Sequence, residues 1–126
     1  MVLQESGEMY LETILVLSQK SRFVRAIDIG EEMGFSRPSV SRAVHLLQDG
    51  QFIHIAPDGS ITLTDVGREI AEKVYERHTV LTRALEAIGV GAETAEEDAC
   101  KVEHYISDET FAAIRRHLDT FAAKIK

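Results

Sequence analysis

"SRPSVSRAVHLLQDG", residues 36–50, is a helix with both of its ends spelled out. Ser36 is an N-cap, a hydroxyl able to accept a first-turn N–H that has no partner in the helix. Pro38 falls in the first turn, where a missing N–H costs little. Gly50 ends the segment. Val40, Val44 and Leu47 recur at helical spacing and face inward, which leaves Ser39, Ser41, Arg42 and His45 largely on the outward side.

The neighbours of this helix define its setting. Upstream, residues 5–19 (ESGEMYLETILVLSQ) read as a helix with Ser6 as N-cap and Tyr10, Ile14 and Leu17 on one face. Residues 25–33 (RAIDIGEEM) form a shorter helix with Ala26, Ile29 and Met33 on one side, and Gly34-Phe35 breaks the chain after it. Downstream, residues 52–64 (FIHIAPDGSITLT) alternate β-branched residues around Pro57-Asp58-Gly59, a tight hairpin turn. A long helix follows from Thr64 to about Ile88, with Ile70, Val74, His78, Leu81 and Leu85 on one stripe, and Gly89-Val90-Gly91 stops it. Two further helices are expected over 93–106 and 108–123. Ser107, Asp108 and Glu109 start the last one, and Phe111, Ile114, Leu118 and Phe121 form its apolar stripe. The expected fold is mainly α: an N-terminal winged helix-turn-helix over residues 1–72, then a helical domain over 73–126.

Bulk composition narrows the classes. A chain of 126 residues with 44% apolar and 28% charged residues is an ordered globular protein, not a disordered one. The longest apolar run is Ile14-Leu15-Val16-Leu17, so no transmembrane helix is expected and no membrane partner. Glu5 and Glu8 stand where a signal peptide would be basic. A single cysteine cannot form an internal disulfide, which fits a reducing cytoplasm. The net charge of −7 opposes nucleic-acid binding, but its distribution does not. Residues 1–19 carry −3, residues 20–50 carry +1 from Lys20, Arg22, Arg25, Arg37 and Arg42 against four acids, and residues 51–126 hold the remaining −5.

Helix, helix, tight turn, helix and hairpin is the order of a winged helix-turn-helix, whose third helix enters the DNA major groove. Ser39, Ser41 and Arg42 lie near the start of that helix and suit base edges, Arg42 by bidentate pairing with guanine. Lys20, Arg22, Arg25 and Arg37 are candidates for phosphates. Ser36 and Pro38, at the helix start, complete the candidate DNA face. The wing tip Asp58-Gly59-Ser60 is placed to approach the minor groove or the backbone. Winged helices also serve as interaction modules, so a metal-independent regulator that contacts protein or senses a small molecule stands as the second reading.

"DACKVEHYISDE", residues 98–109, carries the chemistry of the second half. On a helix turning about 100° per residue, Glu103 sits about 60° to one side of Cys100 and His104 about 40° to the other. Thiolate, carboxylate and imidazole together suit a divalent transition ion rather than calcium or magnesium. His78 lies on the inward stripe of the long helix, and Met9 and Glu12 are three apart on the first helix. Taken singly these are ordinary residues: a core histidine, a core methionine, an inert thiol, a solvated acid. Taken together they form a ligand set drawn from both halves. A metalloenzyme would need a pocket and a general base as well, and no such constellation is legible, so a non-enzymatic role is expected.

The segments "GEMYLETI" (7–14), "SRPSVSRAVHLLQDG", "ITLTDVGREIA" (61–71) and "DACKVEHYISDE", in this order, resemble the diphtheria-toxin-repressor and manganese-transport-regulator family of metal-dependent repressors. The resemblance spans residues 5 to about 120. It implies a helical metal-binding and dimerisation domain after the winged helix, Fe(II) or Mn(II) as corepressor, and a homodimer that binds a palindromic double-stranded operator to silence metal-uptake genes. Met9, Cys100, Glu103 and His104 match the activating site of the iron type, while Glu12 and His78 match ligands of the manganese type's binuclear site. His78 also matches an ancillary ligand of the iron type. The manganese type has carboxylates where this chain has Met9 and Cys100. The iron type has glutamate where this chain has Thr82, and histidine where it has Glu96, an oxygen donor one turn before Cys100. The iron type's SH3-like domain has no counterpart here, as in short manganese-type members. Sulfur donors favour Fe(II) over Mn(II), with Zn(II), Co(II) or Ni(II) expected to bind in vitro.

Overall fold

The computed structural model describes residues 5–21 and 23–125, with the side chains of 6–21 and 23–120. In chain order the elements are α1 (Glu5–Lys20), α2 (Ala26–Met33), α3 (Arg37–Asp49), β1 (Ile53–Ile55), β2 (Ile61–Leu63), α4 (Asp65–Ala87), α5 (Ala92–Val102) and α6 (Asp108–Ile125). The chain divides into two compact units, Met1–Lys73 and Val74–Lys126, with the division falling inside α4. No helix among the described residues is long and apolar enough to cross a membrane.

In the first unit, apolar faces of α1, α2 and α3 close over the hairpin. Leu11 and Ile14 of α1, Ile29 of α2, Val40 and Val44 of α3, and Ile53 and Ile61 of the strands share one buried core. Burying each such side chain stabilises the unit by about 1.5–3 kcal/mol relative to leaving it in water. The inward triad of the third helix is as its spacing predicts: Val40, Val44 and Leu47 are buried. Ser36 caps that helix, accepting the Ser39 N–H at 3.4 Å and donating to Ser39 Oγ at 2.9 Å. The wing pairs antiparallel in the register Ile53↔Leu63, His54↔Thr62, Ile55↔Ile61. Ile61 N–H also donates to Val24 O at 2.7 Å, tying the wing to the segment before α2.

Two local expectations are revised. Ser6 lies inside α1, which already begins at Glu5, so it is not the cap. Gly50 caps α3 as expected, with φ −79°, and the residue after it, Gln51, is left-handed, with φ 66°. The fifth helix ends at Val102 rather than near 106. Its end tightens as Tyr105 N–H and Ile106 N–H both donate to Val102 O, at 3.0 and 3.1 Å. Arg22, and the side chain of Phe121, lie outside the described residues.

Thr64 starts α4: its Oγ1 accepts Gly67 N–H at 3.1 Å and faces the carbonyls of Gln51 and Phe52 at 2.8 and 3.0 Å. This draws the first turn of α4 onto the start of the wing. A Cβ placed on Gly67 would overlap Phe52 O. Gly to Ala in an exposed helix interior is normally stabilising by about 1 kcal/mol. Here the sign reverses: Gly67→Ala is expected to destabilise the protein by about 2 kcal/mol, through forced backbone movement. Urea unfolding checks it, and a stabilised variant would contradict the close approach.

Candidate metal centre and nucleic-acid face

Three of the sequence-predicted ligands meet within the second unit. His78 projects from α4 and is half-buried. Glu103, the C-cap of α5, is 1% exposed. His104 follows it in the turn, and its side chain is also 1% exposed. His78 Nδ1 lies 2.9 Å from Glu103 Oε2, and His104 Nε2 lies 3.3 Å from Glu103 Oε1. The convergence of Glu103 and His104 thus comes from the turn after α5 and not from a continuous helix face.

The chemistry of this cluster fits a divalent transition ion. A buried carboxyl without full hydrogen bonding is costly, and Glu103 Oε1 has no hydrogen-bond partner among the described residues. Ligand atoms each about 2.1 Å from one ion stand about 3.0–3.4 Å apart between octahedral and tetrahedral angles. The two imidazole–carboxyl separations, 2.9 and 3.3 Å, are close to that size but run to different carboxylate oxygens, and they are also ordinary ion-pair separations.

The other candidates have these places. Cys100 lies in the last turn of α5, one turn before His104, and is half-buried. Met9 and Glu12 are both half-buried on α1 in the first unit. Glu96 is exposed on α5. Thr82 turns its hydroxyl back to donate to His78 O at 2.7 Å, so it serves the backbone of the helix that carries a candidate ligand.

Sequence reasoning passed over Arg77. It is 8% exposed. Its Nη1 donates to Glu103 O at 3.2 Å and Ile106 O at 2.7 Å, and its Nη2 pairs with Asp108. The only local signal was its place beside His78, since every partner lies on another segment.

The candidate nucleic-acid face occupies the first unit. Ser36, Arg37, Pro38, Ser39, Ser41 and Arg42 are all exposed around the start of α3. Arg25 is exposed as the N-cap of α2, its N–H donating to Asp28 Oδ2 at 2.9 Å. Farther along α3, His45 Nδ1 lies 2.7 Å from Ser41 O, so that ring is tied to its own helix. Leu46, missed as a surface residue, is 64% exposed on α3. At the wing tip, Asp58 Oδ1 accepts from Ser60 N–H at 2.9 Å and Ser60 Oγ at 2.7 Å. Those bonds, chiefly from the Ser60 hydroxyl, hold the Asp58 carboxyl below its usual range, with Arg25 adding to the effect. Asp58, like any exposed aspartate, is anionic near neutral pH, which disfavours phosphate contact by Asp58 itself.

Two family descriptions match the chain: "Iron dependent repressor, N-terminal DNA binding domain" over residues 2–61, and "Iron dependent repressor, metal binding and dimerisation domain" over residues 64–124. The chain is 31% identical over 115 residues to the transcriptional regulator MntR of Escherichia coli O6:H1, covering 91% of this chain and 74% of the relative. It is 32% identical over 118 residues to the diphtheria toxin repressor of Corynebacterium glutamicum, covering 93% of this chain and 52% of the relative. A solved structure of a manganese-dependent transcriptional repressor in complex with manganese matches with TM-score 0.83 and 26% identity, over 90% of this chain and 52% of that one. The chain spans about half the length of the diphtheria toxin repressors it matches.

Proposed function

The chain belongs to the iron-dependent repressor family, and from that premise we propose that it is a metal-activated, homodimeric transcriptional repressor of metal-homeostasis genes. Relatives of the chain are transcriptional regulators and not enzymes. The observation that carries the proposal is the buried Glu103 carboxyl set between the imidazoles of His78 and His104. The ligand set proposed is Met9, Glu12, His78, Cys100, Glu103 and His104. Fe(II) or Mn(II) is the proposed corepressor, with the sulfur of Met9 and Cys100 favouring Fe(II).

Residues 1–72 are the proposed reader and 73–126 the metal-binding and dimerising part. Ser39, Ser41 and Arg42 read bases, while Arg25, Ser36, Arg37 and Pro38 set the helix start against the phosphate backbone. The polar, exposed N-terminal half of α3 over a buried apolar face supports that assignment. Two reading helices in a dimer call for a palindromic operator, with half-sites a whole number of DNA turns apart. Dimerisation is supported by an open apolar groove of about 530 Å³ in the second unit, lined by α4, α5 and α6. A cytoplasmic setting follows from this role.

Once bound, the ion supplies positive charge that links donors from separate segments. Preference for the DNA-competent arrangement then appears as coupling between metal and DNA affinity. Fe(II) or Mn(II) is expected to tighten binding to duplexes selected from a random pool at least tenfold, about 1.4 kcal/mol. Anaerobic titration with and without metal measures this. Equal DNA affinity in both states would overturn the proposed mechanism.

A further inference from the structure

We infer that Arg77 is a positioning residue for the metal-binding turn, holding Glu103 and His104 in place before any ion arrives. The inference rests on the metal reading above and adds a residue to it. α5 ends at Val102, and the turn that follows has, besides its own backbone bonds to Val102 O, an anchor outside its helix. Arg77 supplies one from α4. Its Nη1 takes the carbonyls of Glu103 and Ile106, and its Nη2 pairs with Asp108, the first residue of α6. The guanidinium carbon lies 5.5 Å from the Phe111 ring centroid, an additional cation–π contact. One planar fork thus joins both ends of the turn to α4.

The position of this fork is what makes it more than a brace. Arg77 and His78 are consecutive on α4. Arg77 holds Glu103 by its carbonyl while His78 stands 2.9 Å from its carboxyl. The candidate ligand is therefore gripped at backbone and side chain by adjacent residues of one helix. His104, next in the chain, inherits that backbone position. A turn already ordered loses less conformational freedom when metal binds, which appears as higher affinity. Lysine, a compact point charge, cannot reproduce the planar set of donors.

The test compares Arg77→Lys and Asp108→Asn with the wild-type full chain, using Co(II) as the probe under anaerobic conditions. Co(II) affinity and ligand-field absorption are read beside the thermal transition of the metal-free protein in chelator. The expected result for Arg77→Lys is about a tenfold loss of Co(II) affinity, the scale seen when outer supports of ligands are removed. Altered ligand-field bands are expected with it, and a metal-free transition lowered by less than the affinity loss. Asp108→Asn is expected to shift affinity in the same direction by a smaller factor. Unchanged affinity and spectrum in both variants would overturn the inference. So would an affinity loss accompanied by an equal loss of metal-free stability, which is the signature of a purely structural brace. Should Arg77→Lys not fold, Asp108→Asn decides by the same two readouts. Wild-type protein that takes up no Co(II) would overturn the metal reading itself, a different outcome from intact binding in every variant.

Discussion

Glu103→Gln is expected to weaken Fe(II), Mn(II) and Co(II) binding at least 100-fold, about 2.7 kcal/mol, while leaving the metal-free fold intact. The side chain is fully buried and its Oε2 stands 2.9 Å from His78 Nδ1. Glutamine has the same shape and keeps a carbonyl oxygen to accept from that imidazole. It removes only the anionic oxygens that a divalent ion needs. In the metal-free protein the same change replaces a buried acid whose Oε1 lacks a hydrogen bond among the described residues. Removing one partner of a buried pair is destabilising, so the metal-free protein is expected to lose some stability, with the retained acceptor oxygen of glutamine limiting the loss. The loss of metal affinity is expected to be much the larger of the two effects, which separates a ligand from a structural acid. Competition against a chromophoric chelator, paired with urea unfolding in chelator, reads both. Metal affinity within threefold of wild type would remove Glu103 from the ligand set.

Ile114→Asp is the second large effect, and it acts on assembly. The groove of about 530 Å³ is lined by Leu81, Leu85, Ile88, Val102, Ile114 and Leu118, among others. Ile88 is 78% exposed at its edge, a large apolar side chain left in water by this single chain. Contiguous apolar surface of this kind marks an interaction site. A carboxylate placed at its wall would be buried without a partner on association, at a cost of a few kcal/mol. Dimer dissociation is therefore expected to become at least 100-fold easier. Sedimentation across a concentration series measures it. Metal binding by the variant monomer should persist, while DNA affinity falls because one reading helix replaces two. A dimer of wild-type strength would mean that the second copy docks elsewhere.

The sequence was read correctly where the signal was local. Ser36, Pro38 and the Val40–Val44–Leu47 spacing are written within one helix, and α3 forms over Arg37–Asp49 with those three residues buried. The hairpin followed from alternation around Pro57-Asp58-Gly59, and strands form at Ile53–Ile55 and Ile61–Leu63. His78, Glu103 and His104 were selected by residue type and spacing, and their side chains meet. The route to that meeting was misjudged. Helical periodicity carries on past Val102 in the sequence, because nothing in residues 98–106 stops a helix by itself. The end tightens as Tyr105 and Ile106 N–H both take Val102 O, and Arg77 takes the Glu103 carbonyl from 26 positions upstream.

By itself, then, the sequence determined the order of the elements and the buried face of α3, and it offered candidate metal ligands by residue type. The Ser36 cap, the hairpin turn and the apolar period of α3 act over a few residues, so the chain read in order reveals them. Only the tertiary structure decided how Glu103 is held, because a carboxyl between two imidazoles and a carbonyl on a guanidinium depend on segments distant in the chain. The same holds for Gly67, where a residue that looks like a flaw in a helix is required by the approach of Phe52 O. Such contacts follow from where segments pack, and no local pattern encodes that.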